Sequence, residues 1–369
     1  MYTPEPIHAA GRRRMLLGGL AGVAGCAGLA GWPCLSHALP AKTLVFPRDR
    51  GSHPAFRTEW WYITGQLASQ AAGPQGFGFQ LTFFRSRVDV TQDMASGFAA
   101  RQLIFAHAAI TDVQGKKLWH DQRIARGGFG IASASEQDMA LKLRDWSLKA
   151  DGVRYTADLP ATDFALSLQF DETQAVLLQG NQGLSRKGPE ERQASYYYSQ
   201  PQLAVQGSVQ VKRQNFAVNG KAWLDHEWSD ELLHPSAVGW DWIGMNLDDG
   251  GALTAFRLRD KEGHAVWAGG SLRSSAGVLR IFSADEVRFE PVRSWTSPLT
   301  RTVYPVEWRV RTPLASYTVN AVIDNQELDS RGSTGSIYWE GLSELADSQG
   351  RRVGMGYLEM TGYAQALRL

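Results

Sequence analysis

The sequence predicts an all-β protein built as two closed or nearly closed antiparallel barrels. Short runs of alternating apolar and polar residues recur along the chain, and no run keeps a 3.6-residue period beyond about a dozen residues. The chain holds 13 Trp and 38 Gly, a composition that suits strands with glycine at their turns and bulges. At 369 residues it is too long for one ordinary barrel. A pair of β-sandwiches satisfies the same periodicity and stays open as the alternative.

The first element is an export segment, residues 1–38. Arg12-Arg13-Arg14 precedes the apolar, Gly- and Ala-rich run Met15–Gly25, the pattern of a twin-arginine leader, with an ordinary secretory signal as the second reading. Two processing sites compete. Val23-Ala24-Gly25-Cys26 resembles a lipobox, which would tether the protein to a membrane through Cys26. Ser36-His37-Ala38 suits ordinary signal peptidase and release after Ala38. Both readings put the mature protein outside the cytoplasm, periplasmic or secreted. Both cysteines, Cys26 and Cys34, lie in this segment, so a chain beginning after Ala38 has no disulfide, thiol nucleophile or thiolate metal site.

From residue 44 the chain reads as strands. An extended lead-in with Pro47, Gly51 and Pro54 brings Glu59–Leu67, rich in strand formers, with Glu59, Trp61 and Ile63 on one face and Trp60, Tyr62 and Thr64 on the other. Phe77–Arg85 is its hairpin partner, and Gln102–Asp112 carries His107 in an apolar run. Shorter strands follow at Ala140–Leu148, Gly152–Leu159 and Phe164–Phe170, then a turn-rich loop over Gly180–Pro189. Three tyrosines meet at Tyr196–Tyr198, and Leu203–Arg213 alternates cleanly. Phe216–Gly220 reads as a turn before the strand Lys221–Asp230. The second half begins near residue 229 and supplies strands at Gly239–Leu247, Ala252–Leu258, Ala265–Ser271, Val287–Phe289, Pro305–Val310, Ser316–Asn320, Ile337–Glu340 and Gly354–Thr361. Residues 230–237 and 342–347 read as short helical turns. The domains are thus 44–228 and 229–369.

The formal charge of +1, with no basic stripe, gives no reason to invoke nucleic acid. No G-x-S-x-G, Walker A or helix-opening G-x-G-x-x-G occurs, so neither a nucleophile elbow nor a nucleotide cofactor is expected. Candidate chemistry gathers at Asp225, His226, Glu227 and Asp241. Alternation sets Asp225 and Glu227 on one face of their strand and His226 and Trp228 on the other. Asp241 shares a face with Ile243, Met245 and Leu247. Such a carboxylate is either paired, for example with His226 or an arginine, or protonated and usable as a general acid. Glu59 has an equivalent structural reading, a pair with Arg57 or Arg85, and His107 reads as a core or pocket-wall histidine. Asp225, His226, Glu227 and His234 match no standard metal spacing, so no metal is expected. The tryptophans are either core filling or the lining of an apolar cavity.

Several motifs then resemble a known family. They are His53-Pro-x-Phe-Arg-Thr-Glu-Trp-Trp-Tyr62, Gln80-Leu-Thr-Phe-Phe-Arg85, Ala106-His107-Ala108, Tyr197-Tyr198-Ser199-Gln200-Pro201, Ala222-Trp-Leu-Asp-His-Glu-Trp228, Gly239-Trp-Asp-Trp242 and Gly356-Tyr-Leu-Glu-Met-Thr-Gly-Tyr363. Together they resemble the AttH-like, lipocalin-like proteins, a group that includes the carotenoid 1,2-hydratases. The resemblance implies two tandem lipocalin-like barrels. In the hydratase branch it implies acid-catalysed addition of water to a C=C of an apolar terpenoid or polyene, without a cofactor. His226 and Trp228 match the hydratases' His-x-Trp region and Asp241 is the proton donor the resemblance suggests, with Asp225 and Glu227 beside them. The same resemblance puts Glu59, Trp60, Trp61, Tyr62, Gln80, His107, Tyr198, Trp228, Trp240 and Trp242 around the ligand. Three readings follow: a hydratase-like enzyme, a periplasmic lipid carrier associated with an ABC-type transport system, or a secreted hydrolase. The export segment fits the second and third better than a carotenoid pathway on the cytoplasmic side.

Overall fold

A computed structural model describes residues 38–70 and 75–367. The arginines, both cysteines and the processing sites of the export segment, up to residue 37, lie outside them. The regular structure is nearly all strand, in two antiparallel sheets of one compact body. The first sheet runs, edge to edge, through Lys117–Arg126, Gln102–Asp112, Gly76–Arg87, Thr58–Ser69, Gln214–Glu231, Ala194–Val211, Phe164–Asp171, Arg154–Pro160, Trp146–Asp151, Ala140–Leu143 and Ala132–Ala134. It curls until Lys117–Arg126 approaches Ala140–Leu143, a nearly closed barrel. The second runs through Leu279–Phe282, Ala265–Arg273, Ala252–Arg259, Gly239–Leu247, Arg352–Met360, Ser336–Ala346, Ser316–Ala321, Val303–Arg311 and Arg288–Thr296. Each half repeats one plan: its first long strand lies between its second strand and its last.

The alternation sorts side chains as the period of two requires. Trp61, Ile63, Leu224, His226 and Trp228 point into the first barrel's core, and Ile243, Met245, Leu358 and Met360 into the second's. The opposite faces of the same strands meet between the barrels, where Tyr62, Trp223, Trp242, Phe256, Leu342 and Tyr357 pack together.

Ala194–Val211 and Gln214–Glu231 form a long hairpin closed by Lys212-Arg213, both at positive φ (49° and 68°), the backbone of a tight two-residue hairpin turn. A bulge between Gln200 and Leu203 interrupts their ladder, with Gln202 at φ 58°. It re-aims Gln202, whose backbone N–H donates to Asn246 Oδ1 (2.8 Å) while its side-chain amide donates to the carbonyls of Leu247 and Gly251 in the second half (2.9 and 2.7 Å).

Five local expectations need correction. Phe216–Gly220 is strand, not turn, and the first sheet's last strand continues past 228 to Glu231, where it pairs with Ala194. Leu342–Ala346 is strand rather than helical turn, because both its faces are buried: Leu345 in the second core, Leu342 between the barrels. Lys117–Arg126, not anticipated, is a half-buried edge strand. Leu184–Arg186, inside the expected loop, pairs with Ala194–Tyr196.

Candidate functional site

The outward faces of the two sheets enclose a cavity of about 530 Å³. Tyr62, Thr82, Phe84 and His107 form its wall on the first barrel's side. Trp240, Tyr338, Glu340 and Glu359 face them from the second, and Leu232 and Leu233 belong to the connection between the sheets. A smaller chamber of about 120 Å³ shares Tyr62, Phe84, Trp240 and Glu359 with it and adds Trp60, Lys187, Asp225, Glu227, Trp242 and Phe256.

Two carboxyl groups stand together on the second sheet's side of the main cavity, and one of them, Glu359, also borders the small chamber. Glu340 and Glu359 sit directly opposite each other on the neighbouring strands Ser336–Ala346 and Arg352–Met360. Burial pushes Glu340 well above the usual carboxylate range, and the charge of Glu359 pushes it further. Burial also pushes Glu359 up to about 7, against a hydrogen bond from Trp240, with Asp225 and Glu227 adding to the rise. Glu359 keeps some open surface only because it borders the chamber. Two like charges this deep cannot both ionise cheaply, so one of the pair holds a proton near neutral pH. Glu340 Oε1 and the Tyr62 hydroxyl are both buried without a formed hydrogen bond, although each neighbours the other.

A second acidic group stands in the small chamber. Asp225 accepts from Tyr197 Oη (2.8 Å), Ser199 Oγ (2.5 Å) and Trp223 Nε1 (2.7 Å). Burial outweighs those donors and raises it to about 7. Trp242 Nε1 donates to Tyr197 Oη (3.2 Å), which orients the phenol toward Asp225. Glu227 is neutralised by the buried Lys187 ammonium at 2.9 Å and takes the Ser195 hydroxyl.

His107 faces the main cavity through Tyr338. Its Nε2 lies 2.8 Å from Ser333 Oγ, whose proton goes to Gln122 Oε1, so Nε2 carries the ring proton. Nδ1 therefore accepts from Tyr338 Oη at 2.8 Å. Burial lowers His107 to about 3, which keeps it neutral.

The expected residues divide. Trp60, Tyr62, His107, Asp225, Glu227, Trp240 and Trp242 line the two chambers. Asp241 does not. It points into the second barrel, where Arg257 Nε (2.7 Å), Arg259 (3.7 Å) and Tyr363 Oη (2.9 Å) hold it as an ion pair, so the proton-donor role expected of it is corrected to a structural one. Glu59, Trp61, Tyr198 and Trp228, expected as ligand contacts, and His226, expected as a catalytic residue, are packed in the core of the first barrel instead. There Glu59 takes Arg85 Nε (2.8 Å), His53 Nδ1 (2.7 Å), His226 Nε2 (3.0 Å) and Ser52 Oγ (3.0 Å). Hydrogen bonds from His226 and His53 overcome the effect of burial and hold Glu59 well below the usual range, while burial lowers His226 to about 4. His226 is stacked on Trp61 (4.7 Å) and His53 on Trp228 (3.8 Å). Gln80 sits behind the wall and donates to Thr82 (2.7 Å). Because His226 and Asp225 leave opposite faces of one strand, the Asp225, His226, Glu227 and His234 set does not converge.

Glu340, Glu359, Lys187, Tyr197 and Tyr338 were not singled out as site residues from the sequence. The signal that drew attention to Asp241 was present at Glu359 as well, a carboxylate in the apolar run Tyr357-Leu-Glu-Met360.

A family model described as AttH-like matches residues 37–363. No curated protein matches. Among solved structures, a putative AttH from Nitrosomonas europaea is 45% identical with a TM-score of 0.82, over 88% of this chain and 99% of that one. Kievitone hydratase from Nectria haematococca aligns with a TM-score of 0.68 at 13% identity, over 88% and 94%. CghA with Sch210972 aligns with a TM-score of 0.52 at 13% identity, also over 88% and 94%. At 13% identity the last two share the fold of tandem lipocalin-like barrels and nothing finer.

Proposed function

The chain belongs to the AttH-like family, and from that premise we propose that its inter-barrel cavity is the active site of a hydratase-like enzyme acting on an apolar terpenoid or polyene. The observation that carries the reading is the facing pair Glu340 and Glu359, one proton between two carboxyls, on the wall of the main cavity beside Trp240, Tyr62 and Phe84, with Trp242 in the adjoining chamber. The protonated member gives its proton to one carbon of a C=C. The positive charge left on the other carbon sits against aromatic faces and the ionised carboxylate. A water adds its oxygen to that carbon and loses a proton to the ionised member, so one water is consumed and the pair again shares one proton. The side chamber, with Asp225 also near 7, holds the remainder of the substrate.

The test is incubation with a panel of isoprenoids and polyenes, followed by mass spectrometry for the gain of one water. Glu359→Gln and Glu340→Gln should each cut turnover by about 10²–10⁴-fold while the ligand still binds. Asp241→Asn should act through stability alone. A variant of the pair that keeps the wild-type rate sinks the assignment, and a panel that binds without changing mass replaces the enzyme by a carrier.

A further inference from the structure

The cavity wall carries more carboxyls than cations, with Arg57 and Arg85 the arginines among its lining. Asp225, Glu227, Glu340 and Glu359 border the two chambers, and Lys187 is the one lysine on either wall among the described residues. Lys187 shows how the chamber treats a cation. Its ammonium is buried, with Glu227 at 2.9 Å on one side and the ring faces of Tyr197 and Phe256 at 4.7 and 4.3 Å on the others. A carboxylate and two aromatic faces do there what water does at the surface. The same components continue beyond Lys187. Trp60, Trp240, Trp242 and Phe84 supply ring faces, and Asp225, Glu340 and Glu359 supply carboxyls that form no ion pair among the described residues. Glu340 is 3% exposed, borders the main chamber and leaves Oε1 without a hydrogen bond. A buried acceptor in that position calls for an occupant that can satisfy it.

We infer that the cavity binds ligands with an ammonium head, a protonated amine or a quaternary nitrogen, lodged against Glu340 and Glu359 with its apolar body among the tryptophans. This rests on the cavity being the ligand site but not on the hydration step. Tyr62, Tyr197, Tyr338 and neutral His107 complete the titratable wall and stay uncharged near neutral pH. Arg57, Arg85, Asp230, Glu231 and His234 stand at its border, and Arg85 is committed to Glu59. A cation entering this wall favours ionised carboxyls, so binding expels a proton and tightens as pH rises through the range in which Asp225 and Glu359 titrate.

The probe is benzyltrimethylammonium, set against neopentylbenzene, which has the same shape with carbon in place of nitrogen. Both are titrated into the full chain with tryptophan fluorescence as the readout. The ammonium should bind at least about tenfold tighter than its neutral twin. Calorimetry in two buffers of different ionisation heat should show proton release. Glu340→Gln, or Glu359→Gln where the first does not fold, should erase the preference and retain neopentylbenzene binding. Equal or weaker binding of the ammonium by the wild-type protein overturns the inference, as does binding without proton release. Loss of the hydration reading with this preference intact removes the reaction and leaves the cation site. Hydration without the preference does the reverse.

Discussion

Glu59 and Asp225 show how two buried carboxyls in one sheet come to opposite duties. Glu59 faces the first core and is surrounded by donors from Ser52, His53, Arg85 and His226. Removing its charge leaves the Arg85 guanidinium, itself 2% exposed, without its anion. Glu59→Gln should therefore cost about 3–5 kcal/mol in urea unfolding, the range for breaking a buried pair. A loss under about 1 kcal/mol would mean that Gln102 and the Phe56 carbonyl, its other partners, suffice. Asp225 faces the cavity and is raised to about 7 in the folded protein. Between about pH 4 and 7 the folded chain thus holds a proton that the unfolded chain has released, and stability contributed by that proton falls as pH rises through this window. His226, lowered to about 4, works the other way and adds stability as pH rises from about 4 to its ordinary value. The two slopes offset each other in the wild type. Asp225→Asn removes only the first, so the stability of this variant relative to wild type should improve by roughly 2–4 kcal/mol from pH 4 to pH 7. A flat difference across those pH values would show that Asp225 titrates normally.

At the scale of elements, alternation told which residues share a face, but it could not tell which face turns inward. That is why Trp60 and Tyr62 were separated correctly from Glu59 and Trp61, and also why Asp241 and His226 were assigned to a pocket they do not line. Phe216–Gly220 misled for a different reason. It read as a turn, yet Gly220 lies mid-strand, where a Cβ would come within 1.9 Å of the Gln66 carbonyl oxygen. The glycine answers a close approach of backbones rather than a bend. Gly244 is a second case, and it bears on the site. A Cβ at Gly244 would meet the Trp242 ring at 2.3 Å and Trp223 at 3.2 Å, so the glycine makes room for the edge-to-face pair of indoles, of which Trp242 lines the small chamber. Gly244→Val should cost about 1–3 kcal/mol by overpacking and shift the fluorescence of the displaced indoles. Unchanged stability and an unchanged spectrum would mean that Trp242 has another resting place. Lys117–Arg126 escaped notice because an edge strand that is half-buried along its whole length shows no clean alternation.

At the scale of the whole molecule, the two-barrel plan was legible from length and strand spacing, but the site belongs to the pairing of the barrels, which no local pattern encodes. Glu340 and Glu359 lie on strands far along the chain from Tyr62 and Asp225, and only the docking of outward faces brings them to one wall. That docking is polar as well as apolar. Thr111 donates to Gln326 (2.8 Å), His107 reaches Tyr338 and Ser333, Gln179 meets Ser271 (2.9 Å) and Asn246 donates to the Ala222 carbonyl (3.0 Å). Gln202 alone bridges three groups of the second sheet from its bulge. Neither half can separate without exposing these groups and the aromatic cluster between them, so the described body should unfold in one cooperative step. Calorimetry should give a single transition whose van't Hoff and calorimetric enthalpies agree. Gln202→Ala removes two hydrogen bonds to the Leu247 and Gly251 carbonyls, which keep their backbone donors Gly250 and Leu247, and should cost about 1–3 kcal/mol for the two bonds lost. Its effect should still appear as one displaced transition, because a cavity wall shared by both barrels gives each a stake in the other's folding. Two resolved transitions in the wild type would instead make the barrels independent. The acid pair would then be set against Tyr62 and Asp225 only in the docked state, and turnover would follow that docking equilibrium.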